Sequence, residues 1–211
     1  MDSIEQRIAR LLPAMQSLSS PDSPASTPPV IVAEAVPVRF PGFRHHQDPV
    51  LMKMGNIAGD FVREIPAKRP TRGKPNGRWL TLWGRSGTGK SMLARGIYEA
   101  FPRRAHWLDW VDLCRRYQSK DDINRALRWA CDAEVLVIDD AGAEHQTPAT
   151  LGLLHGMLQS RLGQWTVITT NLSPDTWRQR DERIGSRLIR DRNVHVDCTT
   201  ADYATREAAP R

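Results

Sequence analysis

Eight residues, Gly84 to Ser91, constrain the fold of this chain more than any other stretch. They read GRSGTGKS and match the pattern G-x-x-x-x-G-K-[ST] at every position. The segment before them, Trp79 to Trp83, is apolar and rich in strand formers, and Leu93, Ala94 and Ile97 follow at helical spacing. A strand that enters a glycine-rich turn and leaves it as a helix is a structure that binds phosphates. The sequence therefore predicts a nucleoside triphosphate site.

Each part of this loop has a predicted task. Its glycines allow successive N–H groups to converge on one anion, and the helix N-terminus adds its positive dipole end. Lys90 is predicted to reach the β- and γ-phosphates, and the Ser91 hydroxyl to bind Mg²⁺. The predicted nucleotide-binding residues are Gly84, Arg85, Ser86, Gly87, Thr88, Gly89, Lys90, Ser91 and Met92.

An acidic pair follows the apolar run EVLVID at residues 134–139. A continuous apolar run indicates a buried parallel strand, and ligands bind at the carboxyl edge of parallel sheets. Asp139 is predicted to hold Mg²⁺, directly or through water, and Asp140 to polarise an attacking water. A solvated acidic turn is the structural alternative.

Two later features are compatible with catalysis at a subunit interface. Asn171 ends the strand pattern WTVITTN, where a neutral amide can orient water and sense the γ-phosphate; Asn there is also a common turn former. Arg183 and Arg187 lie four residues apart, on one face of a helix outside the unit of the phosphate loop. An arginine so placed is predicted either to reach the nucleotide of a neighbouring subunit or to form a surface ion pair.

The chain divides into three predicted parts. Residues 1–18 have the pattern of an amphipathic helix that docks on a partner, and residues 19–37 form a Pro/Ser-rich linker. Residues 38–211 form the folded domain, in which strands alternate with helices and thus predict a parallel sheet covered on both faces.

Composition favours a cytoplasmic protein with a polyanionic partner. The 211 residues carry a formal charge of +6, which suits nucleic acid. The three cysteines are scattered without metal-ligand spacing, so we expect them to be reduced. No apolar run approaches membrane-spanning length, and the first residues lack the apolar core of a signal peptide.

The motifs GRSGTGKS, VLVIDDAGAE, TVITTNL, ERIGSRLIRD and DYATR, in that order, resemble the AAA+ ATPases of the DnaC/IstB group. This group contains helicase loaders of bacteria and phages and ATP-binding helpers of transposases. The resemblance covers residues 38–206 and implies a P-loop NTPase (AAA+/ASCE) α/β fold with a five-stranded sheet and the phosphate-loop strand central. It also implies ATP hydrolysis with Mg²⁺ between subunits of a homo-oligomer, and contact with single-stranded DNA. Carried over by position, Asn171 is the first sensor, Arg187 the finger and Arg183 its support.

The sequence departs from this group's pattern at two places. Many AAA+ proteins have Glu where this chain has Asp140, so we expect slow turnover, with Glu144 as a candidate second base. The residues after Asn171 are too few for the helical lid of many relatives, so we expect no lid-borne sensor. The short N-terminal segment favours a loader that docks on a replicative helicase through residues 1–18.

Three other functions remain open from the sequence. They are an IstB-like transposition helper, a small-molecule kinase with the same phosphate loop, and a module in which ATP only joins subunits. DNA contact is predicted for basic residues between the second and third strands, with tryptophans nearby. They are Arg115, Arg116, Lys120, Arg125 and Arg128, with Trp107, Trp110 and Trp129, of which we expect two tryptophans to be core residues.

Overall fold

The structure, a computed structural model, describes residues 49–67, 76–116, 120–190 and 192–199. The helices are α1 (Pro49–Glu64), α2 (Lys90–Glu99), α3 (Trp110–Arg116), α4 (Lys120–Asp132), α5 (Pro148–Ser160), α6 (Pro174–Arg180) and α7 (Glu182–Leu188). The strands are β1 (Trp79–Trp83), β2 (Ala105–Asp109), β3 (Val135–Ala141), β4 (Trp165–Thr170) and β5 (Val194–Asp197). Strands alternate with helices, as the hydrophobic patterns predict.

The five strands form one parallel sheet in the order β2-β3-β4-β1-β5. The predicted α/β fold is therefore confirmed, but the expectation that the phosphate-loop strand is central is wrong. Strand β1 is interior, between β4 and β5, and β4 holds the middle position. This order brings the carboxyl ends of β1, β3 and β4 to one edge of the sheet.

Helices cover both faces of this sheet, which gives one hydrophobic core on each face. Because side chains alternate along a strand, successive residues point into opposite cores. Along β3, Val135 and Val137 pack with α1 and α2, whereas Leu136 and Ile138 pack on the other face with α3 to α7. Helix α2, which follows the phosphate loop, and helix α7, which carries the two arginines, thus lie on opposite faces.

One buried arginine joins elements that the sequence does not connect. The Arg161 side chain is fully buried. Its guanidinium donates to the carbonyl oxygens of Ala133 at 2.6 Å and Trp165 at 2.7 Å. Burial lowers the pKa of Arg161 to about 10, which leaves it charged near neutral pH. Because these carbonyls lie just before β3 and at the start of β4, Arg161 helps to fix the two strands that carry the candidate catalytic residues.

Several predicted features lie outside the described residues. They are the amphipathic helix at 1–18, the linker at 19–37 and the DYATR segment at 202–206. Within the described ranges, no helix is long and apolar enough to cross a membrane.

Candidate nucleotide-binding site

The phosphate loop leaves β1 through Gly84, which has a φ of 144°. A side chain there would be strained, and its Cβ would lie 3.1 Å from the carbonyl carbon of Cys198. Gly89, with a φ of 88°, directly precedes α2. The loop therefore needs glycine at both ends, and the chain after β5 packs against its first residue.

Lys90 is buried at the start of α2 and turns back into its own loop. Its Nζ donates to the carbonyl oxygens of Gly84 at 2.9 Å and Arg85 at 2.6 Å. Burial lowers the pKa of Lys90, whereas Cys198, Asp140 and Asp139 act to raise it. A buried cation whose acceptors are neutral carbonyls fits a site for phosphate oxygens, which are stronger acceptors for a charged donor.

Ser91 and Asp139 meet next to this lysine. The Ser91 hydroxyl donates to Oδ1 of Asp139 at 2.9 Å. Asp139 reaches the face of α2 because it lies two residues after Val137, on the same side of β3. A hydroxyl and a carboxylate oxygen at one point are ligands that Mg²⁺ accepts, so these residues fit the predicted metal role.

Asp140 follows in a conformation that is uncommon for a residue with a side chain. Its φ is 56°, and its N–H donates to Oγ1 of Thr169 at 2.9 Å. Burial raises the pKa of Asp140, as do Asp139 and Asp109, while Lys90 opposes the shift. The candidate base therefore lies in a field set by both its acidic neighbours and the phosphate-loop lysine.

Sequence reasoning missed two residues of this group. The Thr169 hydroxyl is fully buried and donates to Oδ1 of Asp139 at 2.5 Å. Asp109, the last residue of β2, is paired with Asp139 in the strand register. Thr169 lies two residues before Asn171, and residues two apart in a strand face the same side of the sheet. This spacing was a sequence signal that could have identified Thr169.

Asn171 is exposed and comes directly after β4. The last residue of β4, Thr170, is paired with Trp83 of β1 and Ala141 of β3. Asn171 is thus at the same sheet edge as the phosphate loop and the acidic pair, which is the position that its predicted role as a γ-phosphate sensor requires.

Arg183 and Arg187 are not at this edge. Both belong to α7, on the opposite face of the sheet. Arg187 donates from Nε and Nη2 to Oε1 of Gln159, at 3.1 and 2.5 Å, and from Nη1 to the Arg183 carbonyl oxygen at 2.7 Å. Arg183 pairs with Asp181 at 2.7 Å, and 62% of its side chain is exposed. Both side chains are therefore held by groups within or next to α7 rather than by the residues at the phosphate-loop edge.

Glu144, the alternative candidate for the base, bonds to the backbone of the loop after β3. It is buried, and its Oε2 accepts from the Gly142 N–H at 2.8 Å. Its charge acts on the half-buried Cys114 thiol, whose pKa is raised to about 12 by desolvation first and Glu144 second. The bond from Gly142 ties one carboxylate oxygen of Glu144 to the loop after β3, which favours Asp140 as the base.

The three tryptophans predicted near DNA have different surroundings. Trp110 is fully buried, and Trp107 is half-buried with its ring edge-on to Tyr98 at 5.8 Å. Trp129 is 44% exposed and stacks on His106 with ring centroids 4.1 Å apart. Arg125 and Arg128 are exposed on the same side of α4 as Trp129. We call Arg125, Arg128 and Trp129 the α4 surface.

Comparisons with known proteins show the fold. No protein-family model and no curated protein sequence matches this chain. Among solved structures, DnaI is 23% identical with a TM-score of 0.59, over 75% of this chain and 86% of that chain. A DnaC helicase loader is 22% identical with a TM-score of 0.58, over 74% and 95%.

The replication initiator DnaA, bound to AMPPCP and single-stranded DNA, is 17% identical with a TM-score of 0.54. That match covers 67% of this chain and 46% of DnaA. At these identities the likeness is one of fold alone, and it confirms the expected α/β fold with a five-stranded parallel sheet.

Proposed function

We propose that this protein hydrolyses ATP in a Mg²⁺-dependent reaction at interfaces between its subunits. The observation that carries the proposal is the hydrogen bond from Ser91 to Asp139, which joins the phosphate loop to the acidic strand end at 2.9 Å. Around this bond, Lys90 would bind phosphate oxygens, Ser91 and Asp139 would hold Mg²⁺, and Asp140 would take a proton from water. Bound Mg²⁺ would supply charge stabilisation for phosphoryl transfer.

The position of α7 supports an arginine finger that acts on a neighbouring subunit. Arg187 lies on the other face of the sheet from α2. Its carbonyl oxygen accepts from Asn193, which also bonds the N–H of Trp79 at the start of β1, the end of that strand away from the phosphate loop. Gln159 and the Arg183 carbonyl hold its guanidinium in one orientation. An arginine that is ordered in advance loses less entropy when it meets a phosphate.

We further propose that the protein loads a replicative helicase onto single-stranded DNA. This rests on the motif resemblance and on the likeness of fold to a DnaC helicase loader and to DnaA bound to single-stranded DNA. Residues 1–18 would dock on the helicase. The α4 surface supports DNA contact, because an exposed tryptophan can stack on a base while two arginines meet phosphates.

ATP turnover with and without single-stranded DNA tests the enzymatic part. We expect slow turnover that single strands stimulate, and a Trp129→Ala variant with basal turnover but weaker stimulation. Met52→Ala, which removes a 50% exposed apolar side chain from α1 on the other face of the sheet, is the control. Stimulation by a metabolite instead of DNA would support a kinase, and nucleotide-dependent assembly without turnover would support a module that only joins subunits.

Co-purification with the replicative helicase of the host, in ATP and in ADP, tests the partner. In the full chain, the double change Ile8→Ser and Leu11→Ser removes apolar residues from the predicted docking face. Gln6→Ser with Arg10→Ser is the control on polar positions. Loss of the helicase only in the apolar variant supports docking by residues 1–18, whereas retention in both would place the contact in the ATPase domain.

A further inference from the structure

Thr169, in β4, stands between the two acidic residues of β3. The pairing of β3 with β4 is regular up to Ile138 and Ile168, and it resumes with Ala141 and Thr170. Two residues of β3, Asp139 and Asp140, therefore oppose one residue of β4, which is Thr169. This is a β-bulge, a feature that occurs next to active sites and redirects side chains.

The Thr169 hydroxyl bonds to both residues of the bulge. It donates its one hydrogen to Oδ1 of Asp139 at 2.5 Å and accepts the Asp140 N–H at 2.9 Å. A hydroxyl has one donor and two acceptor positions, so this arrangement uses its only donor on a carboxylate. Because Thr169 is fully buried, water does not offer a substitute for either bond.

Each bond has a consequence for the site. Oδ1 of Asp139 also accepts from Ser91, so the two hydroxyls together fix the rotation of this carboxylate beside the predicted Mg²⁺ position. The left-handed backbone of Asp140, with a φ of 56°, is unfavourable for a residue with a Cβ and must be held by its surroundings. The bond from the Asp140 N–H to Thr169 holds it.

We propose that Thr169 is a positioning residue, whose hydroxyl orients the Asp139 carboxylate toward Mg²⁺ and keeps Asp140 directed at the nucleotide. It acts through these two aspartates and does not itself contact the substrate. The inference rests on the proposed ATPase function, and it adds to the phosphate loop and acidic pair a residue that the known motif does not contain.

The test measures how strongly Mg²⁺ increases the affinity of the full chain for a non-hydrolysable ATP analogue. Affinity is determined in EDTA and across a Mg²⁺ titration, for the wild type and for Thr169→Val. Partners that orient a metal ligand typically contribute about 10–100-fold to metal affinity. We therefore expect Thr169→Val to need about 10–100-fold more Mg²⁺ for the same gain, with unchanged affinity in EDTA. Thr169→Ser keeps the hydroxyl and should behave as the wild type.

Thr170→Val is the matched control. Thr170 is the next residue of the same strand and is equally buried, and its hydroxyl accepts from Leu172 N at 3.1 Å and Trp177 Nε1 at 3.2 Å. This change also removes a buried hydroxyl with two hydrogen bonds, but on the opposite face. We expect it to lower Tm while the Mg²⁺ dependence stays that of the wild type.

The outcomes separate the inference from the function on which it rests. A wild type whose analogue binding does not respond to Mg²⁺ contradicts the proposed function. A wild type that responds, with Thr169→Val responding at the same Mg²⁺ concentration, overturns the role of Thr169. If the valine variant does not fold, Thr169→Ala is compared with Thr169→Ser: loss in alanine alone supports the role, and equal behaviour of the two overturns it.

Discussion

The phosphate-loop edge and helix α7 both concentrate charged side chains, but they use them differently. At the edge, hydrogen bonds run between elements: Ser91 of α2 bonds Asp139 of β3, which also bonds Thr169 of β4. In α7, Arg183 bonds Asp181, the residue that caps its own helix, and Arg187 bonds Gln159 of the adjacent α5. At the edge, the hydrogen bonds converge on the Asp139 carboxylate. The two arginines of α7 instead bond to residues within or next to their own helix.

Under the proposed function, this difference reflects how an active site would be divided between two chains. The edge holds a lysine, candidate metal ligands and a candidate base, and α7, on the other face, holds the arginines that would stabilise phosphoryl transfer. Because neither half contains the other's groups, two copies of the chain in contact would complete the site. The predictions that follow alter one half at a time, from the largest expected effect to the smallest.

Lys90→Ala should abolish ATP binding, and with it turnover. The change removes the buried cation of the loop and the two bonds that tie its Nζ to Gly84 and Arg85. Equilibrium binding of a fluorescent ATP analogue measures the effect. Lys53→Ala, an exposed lysine of α1, is the control for loss of one positive charge. ATP affinity retained in Lys90→Ala would mean that the nucleotide binds elsewhere.

Arg187→Ala should bind ATP normally and hydrolyse it about 10³-fold more slowly, the loss expected when an arginine finger is removed. Arg183→Ala should have a milder effect, since its side chain pairs with Asp181. Arg190→Ala, an exposed arginine that lies just after α7, is the control. Turnover and analogue binding are measured on the same preparations, and a parallel loss of ATP affinity in Arg187→Ala would argue against a finger.

Asp140→Asn should lower turnover about 10²-fold or more while ATP binding persists, because the amide keeps the size of the side chain but loses the base. It should also raise Tm at neutral pH. Burial and Asp139 raise the pKa of Asp140, so its ionised form costs stability above that pKa. The gain in Tm should shrink as the pH falls and the wild-type carboxyl takes up a proton. Turnover that survives in this variant would identify another base.

His155 lies in α5, which packs against the arginine-bearing helix α7, and it should make the free energy of unfolding depend on pH. Its Nε2 is buried without a hydrogen-bond partner in the part of the chain that the structure describes. Burial first, then Arg187 and Arg183, lower the pKa of His155 below the ordinary 6.5, while Asp181 acts to raise it. The unfolded state therefore binds the proton first, and stability falls as the pH drops below about 6.5.

His155→Leu should remove part of that fall, as measured by urea unfolding between pH 7 and about pH 5. Met157→Leu, a change of apolar shape at a buried residue of the same helix, is the control and should keep the wild-type pH dependence. A wild-type slope retained in His155→Leu would assign the titration to another group.

Local patterns predicted most of the site, and long-range contacts account for what they missed. The phosphate loop and Asp139 could be predicted as candidates because each is marked by residues that are adjacent in the chain. Thr169 was missed because its importance depends on the register between β3 and β4, which creates the bulge. Gln159 was missed for a related reason: it contacts Arg187 across 28 positions of the sequence.

The position of β1 was predicted incorrectly for a topological reason. Hydrophobic patterns identify strands and their buried character but do not give their order in a sheet. Only the observed pairing places β5 beyond β1, so that β4 becomes the middle strand.

A mixing experiment tests the division of the site between subunits most directly. Asp140→Asn retains the arginines, and Arg187→Ala retains the acidic pair, so each variant alone should be nearly inactive. Mixed, they should recover turnover at interfaces where an intact acidic pair meets an intact arginine. Recovery should increase with protein concentration, since it depends on assembly. If both variants assemble with ATP and the mixture stays inactive, the catalytic site is complete within one chain and the account is wrong.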